Sequence, residues 1–267
     1  MKHGIEPNES LNMAYASIDE QFADQSGSTR RQLVAGAAAT VGGIAALSLP
    51  EIASAGTSSR NTPEKILNIA ATAEVLATIV NQVGLEKVVL GPQERINIRA
   101  AALEELIHYR RLTNDLGGKE LTKKIWVPDR VFANQRSFLS TVEVGDQIFI
   151  NAYLIGTTVF ARDLGPVPAR YAAEFMGAEA VHRALARQSL GKLGNDRVFM
   201  KYRQKENSGA ANDGTPGFAN IETAVKQLQQ NGFGFGEKGA TPGRFYQFDT
   251  VSRRVQGVPE VNTRRFD

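Results

Sequence analysis

Two short motifs constrain this chain more than anything else in it: Glu105-Leu-Ile-His108 and Glu179-Ala-Val-His182. On an α-helix, residues three apart lie on one face, so each motif aims a carboxylate and an imidazole at the same point. The chain has three histidines, and His3 is the one outside these motifs. A single Glu-x-x-His is most simply a contact on a helix surface. Two on separate helices, joined by one inward carboxylate from each of two others, form the donor set of a two-metal bundle core.

Residues 1–55 read as an export segment. Thr29-Arg30-Arg31-Gln32-Leu33-Val34 resembles a twin-arginine signal, and it follows a long polar stretch. A weakly apolar run from Leu33 to Leu49 comes next, then Pro50 and the cleavage-like Ala53-Ser54-Ala55. The competing reading is a retained anchor, for which a Gly- and Ala-rich run of this length is marginal. The expected partner is the twin-arginine export machinery, and the expected location periplasmic or extracellular. Cleavage after Ala55 would leave no stable membrane span.

The mature chain would start at Gly56 and hold 212 residues, enough for one domain with a sizeable core. Without the signal, 28 basic residues face 22 acidic ones. That balance is modestly basic and shows no nucleic-acid stripe. Cysteine is absent, which excludes disulfides, thiolate-zinc, iron–sulfur and c-type haem sites. Any metal must be held by nitrogen and oxygen donors, which suit iron or manganese, with zinc fitting the same set.

Four long helices are expected in residues 56–190. The first opens at Asn61-Thr62-Pro63-Glu64, a capping residue followed by proline and an acidic first turn, and runs to about Val83, with Gly84 as its stop. The second runs from Pro92 to Asp115, ahead of Gly117-Gly118. A connector holding Trp126, Val127 and Pro128 leads to a third helix over 129–162. Gly165-Pro166-Val167-Pro168 breaks the chain before a fourth over 169–190. Gly145 and Gly156, inside the third helix, suggest close packing or a bend. The first and last connections are short and favour antiparallel neighbours, while the longer middle link has length to cross the bundle.

Residues 191–267 form an extension rich in Gly, Asn and Gln, with one short helix expected over 221–230. Gly232-Phe-Gly-Phe-Gly236 and Gly243-Arg-Phe-Tyr246 read as loops whose aromatic rings pack on the bundle or on a partner, leaving self-association open.

The helical wheels place one carboxylate on each apolar stripe. Glu74 lies among Ile66, Ala70, Ala77 and Val80; Glu105 and His108 lie with Ile98, Ala101 and Leu112. Asp146 joins Val142, Phe149 and Tyr153, and Glu179 with His182 joins Phe175 and Ala186. Lone ionised carboxylates inside an apolar bundle would cost several kcal/mol each unless paired or metal-bound. Glu143, one turn from Asp146, is the rival third-helix candidate. Glu104 reads as solvated or as support for the donor set, and Tyr153 as a core or hydrogen-bonding anchor.

From Glu64 to Leu190 the sequence resembles the ferritin-like domain of exported bacterial and desiccation-related proteins. The resemblance rests on Ile66-Leu-Asn-Ile-Ala70 through Glu74, on both Glu-x-x-His motifs and on Ala152-Tyr-Leu-Ile-Gly156. It implies an all-α, up-down-up-down four-helix bundle with an irregular C-terminal extension. It also implies two metal ions, iron or manganese, held by Glu74, Glu105, His108, Glu179 and His182. In such bundles the third-helix ligand is usually glutamate, and here Asp146 stands in its place. Two activities fit: redox or oxidative-stress chemistry at a metal pair, or metal-holding stress protection in the cell envelope without turnover. A scaffold that has lost its metal is disfavoured by the complete donor set.

Overall fold

Thr62 starts the bundle. Its side chain accepts a hydrogen bond from the Lys65 N–H at 3.2 Å, and Pro63 supplies a preset first turn. The computed structural model describes residues 61–195, 200–201 and 215–258. The export segment of 1–55 lies outside them. Four long helices follow one another: α1 (Pro63–Lys87), α2 (Pro92–Arg110), α3 (Gln135–Asp163) and α4 (Pro166–Ser189). They make the all-α, ferritin-like four-helix bundle with a C-terminal extension that the wheels and the resemblance implied.

The helix ends differ from the sequence reading in instructive ways. Gly84 does not stop α1, which continues through it to Lys87. A Cβ there would lie 2.3 Å from the Phe138 ring, so the glycine admits a close approach of α3 instead. Beyond Arg110, α2 widens into one π-helical turn, Arg111–Asp115, and Gly117 then leaves at φ 76°. The third helix is shorter at its start than expected. Asp129–Phe132 form a separate 3-10 turn, and Asn134 caps α3 by accepting from the Ser137 N–H at 2.9 Å. Gly165, at φ 95°, makes the break before α4 alone, and Pro166 already lies in the first helical turn.

Helices α1 and α2 pack antiparallel, as do α3 and α4. Arg95 near the start of α2 donates to the Leu85 carbonyl near the end of α1, and Gly156 of α3 sits against Ala172 of α4. The link between the pairs runs back along α1. Its Lys119 N–H donates to Asn68 and its Leu121 N–H to Thr72, both at 2.8 Å. At its far end Gln135 accepts from the Gly91 N–H. The link therefore crosses the bundle: the up-down alternation holds within each pair, and the crossing resets it between pairs.

The connector is not irregular. It contains strand β1 (Lys124–Pro128), and the extension adds β2 (Met200–Lys201), β3 (Thr215–Pro216), β4 (Gly234–Phe235) and β5 (Gly243–Gln247). β4 and β5 pair antiparallel on either side of β1, with Ile125 opposite Phe235 and Trp126 opposite Phe245. The glycine–aromatic stretches read as loops are thus edge strands. Their glycines make room around Trp126, since a Cβ at Gly243 would lie 2.4 Å from the Val127 carbonyl and 2.8 Å from the indole nitrogen. β2 and β3 form a separate parallel pair.

Helix α5 (Glu222–Gln230) and the short α6 (Phe248–Ser252) lay the extension on the bundle. Phe233, Phe235, Phe248 and Val251 are buried there, and Phe248 meets Tyr109 at 4.5 Å between ring centres. Asn151 of α3, fully buried, exchanges two hydrogen bonds with the Phe218 backbone. Among the described residues α1 is the one helix long and apolar enough to cross a membrane, and 94% of its apolar window is buried within the bundle.

Candidate metal centre

Each of the four long helices delivers its inward carboxylate to one place. Glu74, Glu105 and Glu179 have no exposed surface, and Asp146, His108 and His182 keep at most a few per cent. They fall into two overlapping groups. Glu74, Glu105, His108 and Glu179 form one, and Glu105, Asp146, Glu179 and His182 form the other; in each, the ligating atoms lie within 4.8 Å of one another.

Glu105 and Glu179 belong to both groups, and their two oxygens are divided between them. His108 Nδ1 lies 3.4 Å from Glu105 Oε2 and 3.5 Å from Glu179 Oε1. His182 Nδ1 lies 3.3 Å from Glu105 Oε1 and 3.5 Å from Glu179 Oε2. Glu74 adds to the His108 side, with Oε1 at 3.6 Å from the imidazole. On the sequence alone, each Glu-x-x-His motif aims its carboxylate and imidazole at one point. The folded arrangement instead sets the two motif glutamates between the groups, with Glu74 and Asp146 at the ends.

Seven atoms of these six side chains are buried without a hydrogen-bond partner: Glu74 Oε2, Glu105 Oε2, both oxygens of Glu179, Asp146 Oδ2, and Nδ1 of His108 and His182. Buried polar groups are otherwise almost always satisfied, and each orphan costs about 1–3 kcal/mol, more when charged. Seven such atoms in one buried cluster are a donor set suited to cations. The chain therefore builds a buried di-metal binding site from Glu and His across its helices, with geometry typical of a di-iron or di-manganese pair.

Surrounding groups hold these donors in place. The Tyr153 hydroxyl donates to Glu74 Oε1, and Asn81 Nδ2 reaches Glu105 Oε1 at 3.5 Å. His108 packs against Phe175, with 4.2 Å between ring centres. His182 Nε2 lies 2.5 Å from Glu104 Oε2. Such outer contacts fix a ligand's orientation and tautomer. Glu143, the rival third-helix carboxylate, stands apart from the cluster and binds Arg187 together with Lys192 Nζ at 2.7 Å. Sequence reading missed Asn81; its signal was the spacing from Glu74, seven residues along the same stripe.

Without cations the cluster redistributes protons. Burial, then the neighbouring Glu105 charge, pushes Glu74 well above the carboxylate range; burial and Glu179 do the same to Asp146. Burial acts to lower both histidines, but the carboxylates around them win. His108 is raised chiefly by Glu74, and His182 by its hydrogen bond to Glu104. Burial would raise Glu105 too, but the two imidazoles beside it hold that carboxyl far below its usual value. Burial and Glu74 keep the Tyr153 phenol protonated.

No family model matches this sequence, and comparisons with curated proteins and with solved structures give no match either.

Proposed function

We propose that the protein is an exported di-metal oxidoreductase of oxidative-stress chemistry, holding two iron or two manganese ions. The observation that carries this reading is the division of the oxygens of Glu105 and Glu179 between two donor groups. When bound, such a pair supplies one-electron steps at each ion and a coordination position for oxygen or peroxide. The remaining work falls to the chain. Glu105 and Glu179, common to both donor groups, would hold both ions, Glu74 and His108 would hold one of them, and Asp146 with His182 the other. The Tyr153 hydroxyl donates to Glu74 and Phe175 packs against the His108 ring, contacts that orient both donors. Asp146 reaches less far than a glutamate and would leave its end the more open to an oxidant.

Export rests on Arg30-Arg31 ahead of a weakly apolar run and on Ala53-Ser54-Ala55. The twin-arginine route carries folded cargo, which suits a centre assembled before transport. Elemental analysis of the purified protein, followed by peroxide- and oxygen-consumption assays, tests the chemistry. About two metals per chain with consumption supports the reading; two metals without consumption makes the protein a metal-holding envelope component; no bound metal sinks it. An Arg30→Lys, Arg31→Lys double variant is expected to remain in the cytoplasm as precursor, and normal export of that variant would refute the route.

A further inference from the structure

Gly145 sits in the middle of α3, where glycine is a poor helix former, and a Cβ built on it would meet nothing within 4 Å. Close packing therefore does not explain this glycine, in contrast to Gly156, whose Cβ would touch Ile66, Phe160 and Ala172 at 3.5 Å. What lies beside Gly145 is the wall of a cavity of about 340 Å³ between α1, the first half of α3 and α5. That volume suits a small organic molecule. Asn81 and Asp146, both buried, line it and connect it to the metal centre. The exposed Arg130 and Arg136 line it too and mark its mouth.

Three features of the wall select a ligand. Arg136 makes no ion pair among the described residues, and Arg130 spends one N–H on the Asn231 carbonyl at 2.6 Å, so both guanidinium groups have donors to offer an anion. The sides are apolar, and Phe149 and Phe233 bring two rings. Asn81, outside the metal-ligating set, lines the inner end; its Oδ1 is buried with no hydrogen-bond partner, and a turn of the side-chain amide would present that oxygen to a donor in the cavity. An anionic head, an aromatic body and a hydroxyl at the inner end answer all three.

We infer that this cavity is the substrate pocket of the di-metal centre and takes a phenolic acid, carboxylate outward to Arg136 and Arg130, phenol inward to Asn81. The assignment of the ligand as substrate rests on the di-metal reading; the binding itself does not. Leu228 and Phe233 close one side of the pocket, which gives the C-terminal extension a part in substrate selection.

Titration calorimetry on the full chain, with metal content measured in the same samples, decides the matter. The probes are para-hydroxyphenylacetate, phenylacetate and para-hydroxyphenylacetamide. The phenolic acid is expected to bind once per chain, and loss of either the hydroxyl or the charge is expected to weaken it about tenfold. Gly145→Leu fills the cavity while improving local helix propensity, so it should fold, keep its metal and lose the ligand. Arg136→Gln should weaken the acid and leave the amide unchanged. Equal binding of all three probes, no saturable binding to the wild type, or unaltered binding to Gly145→Leu would overturn the pocket. Binding of the acid to a chain that takes up no metal would keep the pocket and sink the di-metal reading; two bound metals with no binding would do the reverse.

Discussion

Nε2 of the buried His182 lies 2.5 Å from Oε2 of Glu104, whose side chain is one-third exposed. The contact places the imidazole proton on Nε2 and leaves Nδ1, which faces Glu105 and Glu179, free to bind metal. Glu104 precedes Glu105 on α2, so adjacent residues serve the site from outside and from within. Glu104→Gln keeps the shape and weakens the polarisation of the ring. Metal affinity is expected to fall by about 10–100-fold, as for loss of other outer carboxylates. Competition with a chelator of known affinity measures it; an unchanged affinity would leave Glu104 as a surface residue.

His108→Ala with His182→Ala removes one donor from each group while the apolar stripes of all four helices stay intact. Bound metal should drop from about two per chain to well under one. The thermal stabilisation that metal confers on the wild type should drop with it. Elemental analysis and melting with and without added metal test both. If neither changes, the paired motifs are ordinary buried polar residues.

The metal-free protein should lose stability as pH rises. Glu74, Asp146, His108 and His182 are all raised above their ordinary values, so the folded chain holds protons that the unfolded chain releases. Each contribution is complete below the unfolded pKa and is lost as pH climbs through the folded one. For the carboxyls the loss starts above about pH 4, and for the histidines above about pH 6.5. Glu105, lowered, works in the opposite sense, and its contribution is lost only in strong acid. The metal-free Tm is therefore expected to decline from pH 5 towards pH 9, while metal affinity rises because binding must displace those protons. A flat or rising metal-free Tm would contradict the site electrostatics.

Asn151 imitates a backbone pairing partner. Its Nδ2 donates to the Phe218 carbonyl at 2.8 Å, and its Oδ1 accepts from the Phe218 N–H at 3.2 Å. Asn151→Ala leaves both peptide groups buried and unpaired, at a cost of about 1–3 kcal/mol. Denaturant melts should show that loss, and hydrogen exchange should show faster exchange in the segment around Phe218. If the extension stays as protected as before, it is held by its apolar contacts alone.

Gly84→Ala should also destabilise, because the new methyl meets the buried Phe138 ring. Overpacking of this kind typically costs about 1–3 kcal/mol. A calorimetric Tm equal to wild type would show that the ring gives way freely.

The helical stripes, the donor set and the all-α class were legible in the sequence because they depend on local periodicity. A spacing of three or four residues fixes which side chains share a helix face, whatever lies opposite. The same rule put Glu74 and Asp146 inward before any neighbour was known. Other features depended on what the helices meet. Gly84 and Gly145 look alike as glycines within helical sequence, yet one admits the Phe138 ring and the other opens a cavity. Glu143 and Asp146 stand one turn apart on α3, and only the placement of Arg187 and Lys192 draws the first away from the cluster. Short strands around Trp126 were invisible because two- to five-residue pairings leave little periodicity, and their partners lie more than a hundred residues away. Local spacing chose the donors; packing between distant segments decided how Glu105 and Glu179 share their oxygens, since that division depends on where four separate helix axes come to rest.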